Sequence, residues 1–488
     1  MIILETPTRA KLVGYDDRKK ELKTFLTYTD KKVEFELRRL QHNPAVRYSP
    51  ALQQRVQHLE ATKKTTLLFE ESDGSLWTYS GLAHKIANTY GDEIRLSYQR
   101  PASKIVPWAK KPDRTLRYYQ TEAHEALLGH GHAGVSIGTG LGKSAILMEL
   151  SKTLGLKTVV MTPSVNIAEQ IYAEFSDAFG KKYVGQFFDG KKQSEKQFVI
   201  SVAQSLARVE KGTDHWKRLS AAQVFIADES HQCPAKTLSE VCFGLLASAP
   251  YRFFFSGTQI RNDGLGLLLD AITGPIVYEM SVQQGVDQGF LAKPTFRMVH
   301  VKSKVQYDTS DANDMTRAHV YYNDQVNKAA AEFANKAVGL LGRPTVILVD
   351  ELEQFAHLLP HLRYEARFAH GGVTGTNKEL IPAQYHDSDP GQLVKAFNAG
   401  DFSILVGTSC IVTGTDIKAV KAIIYLRGGK SEIEVKQSIG RGTRLAPGKT
   451  DCLFVDFAID NVPMLSRHAE ARKEIYQEVY PSLQELSL

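Results

Sequence analysis

The sequence predicts an α/β fold: two successive parallel-sheet domains preceded by a small α+β domain. Three observations carry that expectation. From about residue 115, short β-branched or apolar runs alternate with longer amphipathic stretches such as "NIAEQIYAEFSDAF". Runs of this kind read as buried parallel strands joined by crossover helices. The rhythm then occurs a second time after a less regular connection, which argues for two sheets better than for one very wide sheet. The front segment has a different grammar, with a hairpin signal flanked by helical stretches. The expected boundaries are 1–105 for the α+β domain, 106–296 for the first sheet domain and 297–488 for the second.

Taken in chain order, "TTLLFEESDGSLWTYS" (65–80) offers two strand-like runs around a Ser-Asp-Gly turn, and "QRPASKIVPWAKKPD" (99–113) reads as a linker rich in Pro and Lys. The first set of strands is expected at "AGVSI" (133–137), "KTVVMT" (157–162), "QFVISV" (197–202), "AQVFIAD" (222–228) and "YRFFFSG" (251–257). The second is expected at "PTVILVD" (344–350), "EARFAH" (365–370), "FSILVGT" (402–408), "KAIIYL" (421–426) and "DCLFVDF" (451–457).

Composition bounds the function. The chain has 488 residues, 43% of them hydrophobic, enough for several cores. No apolar run approaches the roughly 18 residues that span a bilayer, and "MIILETPTRA" lacks a basic start and a full apolar stretch. A soluble, intracellular, cytoplasmic protein is expected, with no membrane partner. The four cysteines, Cys233, Cys242, Cys410 and Cys452, include no C-x-x-C pair, so neither a zinc site nor a disulfide framework is indicated. The formal charge is +6, and residues 1–110, with 19 Lys and Arg against 13 Asp and Glu, hold all of it. A basic front on a neutral body suits a phosphate-backbone partner or, equally, a solvated basic face.

The chemistry begins at "SIGTGLGKSAIL" (136–147). Gly138, Thr139, Gly140 and Gly142 stand between a strand and a helix, where residues without Cβ let backbone N–H groups close around phosphate oxygens. Lys143 then pairs with β/γ-phosphates and Ser144 ligates Mg²⁺. Ile137 stands where the strict phosphate-loop pattern has its first glycine. A second metal ligand is expected at the end of a later strand, and "VFIADESH" supplies Asp228, 85 residues beyond Lys143. Glu229 follows, placed to orient or deprotonate the attacking water.

"DESH" (228–231) resembles the signature of superfamily 2 helicases of the DExH kind, and other segments resemble that family's motifs in order. "LRYYQ" (116–120) resembles the adenine-reading segment of the restriction-translocase-like branch, which implies Gln120 helped by Arg117. "TPSVNIAEQ" (162–170) and "VAQSL" (202–206) resemble segments that hold a nucleic-acid strand, implying Thr162, Pro163, Gln204 and Ser205. "FSGT" (255–258) stands where the family links ATP state to strand binding, implying Ser256 and Thr258 together with His231. "GTSCIVTGTDI" (407–417) resembles the motif touching both strand and nucleotide, with Thr408 and Ser409 toward the strand and Gly414 and Asp416 toward the nucleotide. "QSIGRGTR" (437–444) matches Q-x-x-G-R-x-x-R, implying Gln437 as a coupling residue and Arg441 and Arg444 as the arginines that reach the γ-phosphate. "RNDG" (261–264) reads either as part of a duplex-contacting loop or as simple turn chemistry.

The resemblance covers residues 116 to about 457. It implies two tandem RecA-like domains, ATP and Mg²⁺ as cofactors, and nucleic-acid-dependent ATP hydrolysis. Within the family, the small front domain and short tail look most like the phage UvsW-type branch-migration DNA helicases. The expected partner is then branched or forked duplex DNA, in host cytoplasm if phage-encoded, with Holliday junction migration and fork reversal as the work done. An RNA helicase of the same superfamily, a restriction-system motor subunit and an ATP-gated clamp without motion are the alternatives. Trp77, Tyr79 and Tyr90 in the front domain read as core residues before stacking platforms.

Overall fold

In the computed structural model, which describes residues 1–105, 115–257, 263–307, 309, 311–375, 377–412 and 417–488, the chain divides into two units. One holds residues 1–137 and 143–279, the other residues 138–142 and 280–488.

In the front segment the strands Arg9–Leu12 and Leu76–Tyr79 alternate as half-buried antiparallel strands should. Its strands are β1 (Ile2–Thr6), β2 (Arg9–Leu12), β3 (Thr27–Thr29), β4 (Lys64–Thr66), β5 (Phe69–Glu70), β6 (Leu76–Tyr79) and β7 (Ile94–Leu96). Five of them form a sheet in the order β5-β6-β2-β1-β7, with Ile2, Ala10, Leu12 and Leu76 turned into its core. The expected hairpin is present, with Phe69 opposite Trp77. Its first run is split, however. Leu67 and Leu68 are buried, and the residues before them leave the sheet to pair with β3, Thr66 opposite Thr27. Between β3 and β4 the chain makes two helices, Lys31–Gln41 and Pro50–Thr62, whose contact buries Leu37, Leu40 and Leu59. Asp30 and Ser49 cap their N-termini with side-chain acceptors.

This front sheet shares a core with two segments of the domain that follows, Val241–Leu245 and the helix Gly266–Thr273. Ala271 is buried with Leu82, Ala83 and Ile86, and Phe243, Leu267 and Leu268 pack onto the same cluster. Tyr79 stacks on Phe243 with ring centroids 3.8 Å apart, and Lys85 pairs with Asp270 at 2.6 Å. A Cβ on Gly81 would sit 2.4 Å from the Ala271 carbonyl oxygen, so only glycine allows this approach. Tyr90 meets Tyr15 and Phe25 edge-on, so the front aromatics serve packing.

The first large sheet contains β8 (His132–Ile137), β9 (Thr158–Thr162), β10 (Val184–Phe187), β11 (Phe198–Val202), β12 (Val224–Asp228), β13 (Tyr251–Ser256) and β14 (Ile276–Met280), in the order β10-β11-β9-β12-β13-β8-β14. The pairings from β10 through β8 are all parallel. β10 and β14, which the apolar runs did not reveal, are its edges, and β14 is mostly half-buried. The second sheet contains β15 (Lys293–Val301), β16 (Thr345–Leu348), β17 (Ala366–Ala369), β18 (Ile404–Gly407), β19 (Ala422–Tyr425), β20 (Asp451–Ile459) and β21 (Gln484–Ser487), in the order β17-β18-β16-β19-β20-β15-β21. It too is parallel throughout. All four cysteines are free thiols, three of them buried. Among the described residues no helix is long and apolar enough to cross a membrane.

Candidate nucleotide site and nucleic-acid edge

Parallel strands end at one edge, so the segments that follow β8, β9, β11, β12 and β13 are gathered there by the fold alone. Register fixes the alignment: Asp228 lies opposite Phe255, Ser256 opposite Ser136, and Val202 opposite Thr162. Gly140 and Gly142 have φ of 90° and 80°, a left-handed backbone that side chains disfavour, which is why the loop after β8 has glycine there. Lys143 and Ser144 open the helix Lys143–Leu154, so their backbone belongs to its positive N-terminal end.

Lys143 Nζ donates to Glu229 Oε1 at 3.3 Å, with both side chains about one-seventh exposed at 13% and 14%. Glu229 has φ of 50°, the left-handed region that costs a non-glycine residue roughly 1–3 kcal/mol. That conformation turns the chain at the strand end. Glu229 Oε2 lies 3.4 Å from His231 Nδ1, which is 2.9 Å from Ser256 Oγ, and both His231 and Ser256 are buried. A chain of polar contacts therefore runs from Lys143 through Glu229 and His231 to the end of β13.

The two acids are driven apart. Burial, followed by the charge of Glu229, raises the Asp228 carboxyl above the usual range. Burial also opposes charge on Glu229, but Lys143 and His231 outweigh it and hold that carboxylate well below its ordinary value. Asp228 Oδ1 is buried and accepts no hydrogen bond from any described residue. An oxygen in that condition suits a cation, and Mg²⁺ binds through one or two carboxylates together with water and substrate phosphates. No group of three or more His, Cys, Asp or Glu among the described residues forms a protein-only metal cage, as that mode of binding requires none.

Arg117 precedes the helix Tyr118–His130, and the buried Gln120 returns its side-chain oxygen to the Arg117 N–H at 2.9 Å. Arg117 Nη1 donates to Tyr119 Oη at 3.0 Å. Thr162 is buried, and its hydroxyl donates to the Ser201 and Ser164 carbonyls at 3.1 and 3.2 Å, so it ties β9 to β11 from within. Pro163 and Ser205 are half-buried and Gln204 is exposed on the short helix Ala203–Ala207.

In the second unit Thr408 follows β18 and its N–H donates to the Ala369 carbonyl at 3.2 Å, while Ser409 is exposed at the start of the helix Ser409–Val412. The helix Glu432–Gly442 buries Val435, Ser438 and Ile439. A Cβ on Gly442 would lie 2.9 Å from Cys452 Sγ, which makes glycine the close-packing residue on that face. Gln437, Arg441 and Arg444 fall at i, i+4 and i+7 and are half-buried. Thr258, Gly414 and Asp416 lie outside the described residues, as do Arg261 and Asn262 of "RNDG" and most of the 99–113 linker.

Sequence reasoning missed the anchors of this second site. Arg427, nearly buried, pairs with Asp350, which also accepts the Tyr321 hydroxyl at 2.6 Å. Both residues stand just beyond strand ends, which is the one signal the sequence held. Behind them, buried Arg472 binds Asp456 at 2.7 Å and the Gly429 carbonyl at 2.8 Å, fixing the segment that leads into the arginine-bearing helix.

Two family models match the chain: the type III restriction enzyme res subunit over residues 113–261 and the helicase conserved C-terminal domain over residues 340–446. "Probable helicase D10" of Escherichia phage T5 is 25% identical over 69% of this chain and 70% of its own length. "DNA 3'-5' translocase XPB2" of Sulfurisphaera tokodaii is 21% identical over 75% of this chain and 88% of its own. Among solved structures, the ATP-dependent type ISP restriction-modification enzyme LlaBIII bound to DNA has the same fold, with a TM-score of 0.55 at 14% identity over 84% of this chain and 34% of that one. Two RecA-like sheets with these motifs define an ATP-driven motor of the helicase class. The chain is related to the superfamily 2 helicases and the restriction translocases, and is a nucleic-acid-dependent ATPase.

Proposed function

We propose that this motor is a DNA translocase that works on branched or forked duplexes, migrating four-way junctions and reversing forks in replication, recombination or repair. One observation carries the reading: the basic front domain shares a packed core with the turn Val241–Leu245 and the helix Gly266–Thr273 of the first RecA-like domain. A duplex arm held by the front domain would keep fixed register with the residues that turn over ATP. The translocase named among the relatives favours DNA over RNA.

In this reading residues 1–105 grip DNA, 106–296 bind ATP and 297–488 complete the motor. Lys143 and the loop Gly138–Gly142 hold the β/γ-phosphates, with Gln120 and Arg117 toward the adenine, and Gly414 and Asp416 toward the nucleotide. Ser144 and Asp228 would hold Mg²⁺, which when bound neutralises charge on the phosphate oxygens. Glu229, kept ionised beside Lys143 and His231, accepts the proton of the attacking water. Arg441 and Arg444 neutralise charge developing on the γ-phosphate, an effect worth roughly 10³ to 10⁵ in rate for arginine fingers. The His231–Ser256 bond, with Thr258 and Gln437, relays nucleotide state to the strand-binding edge. There Pro163, Gln204, Ser205, Thr408 and Ser409 touch backbone, which makes binding blind to sequence. Thr162 acts by tethering that edge.

The test is steady-state ATP hydrolysis with Mg²⁺ and single-stranded DNA, linear duplex, fork, four-way junction and RNA duplex at one salt concentration. Greatest stimulation by forks and junctions is expected. Strongest stimulation by RNA duplex would make this an RNA helicase, and tight binding with no translocation would make it a clamp.

A further inference from the structure

The helical insertion between β3 and β4 holds a groove that no motif explains. It measures about 480 Å³ and is lined by Thr29, Lys31, Leu37, Arg38, Lys63 and Lys64, together with Glu34 and Gln41. Lys31, Glu34, Arg38 and Gln41 sit at i, i+3, i+7 and i+10 of the helix Lys31–Gln41, so they form one face of it. Lys63 and Lys64 close the groove from the strand side.

Charge in the insertion is lopsided. Residues 30–64 contain eight Lys and Arg and four Asp and Glu. All four acids are engaged locally. Asp30 caps the helix, Glu34 pairs with Arg38 at 2.7 Å, Glu36 pairs with Arg55 at 2.5 Å, and Glu60 accepts from Gln41 at 3.2 Å. Lys31, Lys63 and Lys64 pair with no acid among the described residues, so three cations converge on the groove with Arg38 beside them. Arg38, Lys31 and Lys64 are exposed.

The lining also discriminates between occupants. It contains one apolar residue, Leu37, and no aromatic ring, so it offers neither an apolar peptide a pocket nor single-stranded bases a stacking platform. The exposed rings of the insertion, Phe35 and Tyr48, are not in the lining. Cations with polar neighbours and no rings match a phosphate backbone whose bases stay paired.

The groove is also tied to the motor sheet. Beyond the end of β13, Asp263 accepts the Lys31 N–H on its carbonyl at 3.0 Å. Gly264, at φ 87°, comes so near β3 that a Cβ would lie 2.0 Å from the Thr29 carbonyl oxygen. Asp263 and Gly264 thus abut the N-terminal end of the groove's first wall.

We infer that the groove lined by Lys31, Arg38, Lys63 and Lys64 binds the phosphate backbone of duplex DNA beside the motor. The inference rests on the DNA-translocase reading and deepens it by naming the surface that grips the arm.

The test uses the full chain carrying Lys31→Glu, Lys63→Glu and Lys64→Glu together, with a matched Lys→Arg triple at the same positions. Duplex and single-stranded DNA binding without nucleotide is measured across a salt series, alongside ATP hydrolysis stimulated by single strands. The Glu triple is expected to weaken duplex binding about tenfold or more and to reduce the salt slope by about 2 to 3, near 0.9 for each phosphate no longer neutralised. Single-strand-stimulated hydrolysis is expected to match the wild type, and the Arg triple to retain duplex affinity and slope. Unchanged duplex affinity in the Glu triple overturns the groove while leaving the motor reading intact. So does a greater loss on single strands than on duplex, or an equal loss in the Arg triple. A wild-type chain whose hydrolysis no nucleic acid stimulates sinks the motor reading instead, a result independent of either triple.

Discussion

Lys143 is the residue on which the proposed nucleotide site turns, because the ammonium assigned to the phosphates also holds Glu229 ionised. Lys143→Ala is expected to cut ATP turnover by at least about 100-fold, as removal of one charge-stabilising group at a transition state does, while nucleic-acid binding without nucleotide stays near wild type. Turnover measured beside filter or fluorescence binding checks this, and retained turnover would take Lys143 out of its role. Arg252 shows the opposite logic, a buried cation with a structural task. Its guanidinium is fully buried, donates to the Leu246 and Cys242 carbonyls at 2.6 and 2.8 Å, and lies near the rings of Phe225 and Phe254. Those carbonyls lie near the start and just past the end of the turn Val241–Leu245, whose Phe243 carries the stack with Tyr79. Arg252→Ala leaves both acceptors orphaned and opens a cavity, with an expected loss of about 3–5 kcal/mol. Arg252→Lys should recover part of it. Urea midpoints of the two variants test the claim, and an Ala variant as stable as the wild type contradicts it.

Secondary elements were legible where burial is two-sided and obscure where it is not. Central strands such as β9 and β11 are buried at every position, and their apolar runs stood out. β15 alternates, with Thr295, Arg297 and His300 less buried than Phe296, Met298 and Val299, so its sequence did not resemble its neighbours. β21 is exposed throughout and had no apolar signal at all. The glycine-rich loop and "DESH" were readable because each is contiguous, whereas Asp350–Arg427 joins residues 77 positions apart across the sheet and Asp456–Arg472 joins residues 16 apart by packing the helix Pro463–Val479 on β20. β21 is held by charge in place of apolar burial. His300 on β15 lies 2.9 Å from both Asp460 and Glu485, and Lys473 also pairs with Glu485 at 2.8 Å. Burial opposes charge on His300, yet the two carboxylates win and raise its pKa above 6.5. A raised imidazole contributes stability that is complete below its unfolded value and is lost as pH rises through the folded one. Docking of β21 is therefore expected to be firmest below about pH 6.5 and to loosen above the raised value, Lys473 supplying the remainder. Proteolysis of the C-terminal segment across this range should accelerate with pH in the wild type and be flat in His300→Ala. Equal pH dependence in the two would remove His300 from the latch.

At the scale of the whole chain, the front domain is better described as part of the first unit than as an appendage. Residues 1–137 cluster with 143–279, and the reason is a common core: Ala271 is only 1% exposed because Leu82, Ala83 and Ile86 cover it, with Leu267, Leu268 and Phe243 packed around them. The polar contacts at the same surface, Lys85 with Asp270 and Ser80 with His132, are of the kind that specify register more than affinity. A surface of that composition has a direct consequence for truncation. Removing residues 1–105 uncovers the outer side of an adjoining group of large apolar side chains, Phe243, Leu267 and Leu268 among them. At about 25 cal/mol per Å² of apolar surface, exposing even a few such side chains costs several kcal/mol, a large share of a domain's net stability. The fragment 106–488 is therefore expected to aggregate or to melt well below the full chain, and its ATPase to fall with its folded fraction. Light scattering and thermal unfolding of the purified fragment decide the matter. A monomeric fragment with full-chain stability and full ATP turnover would show that the front domain is separable, and its coupling to the motor would then have to arise on DNA.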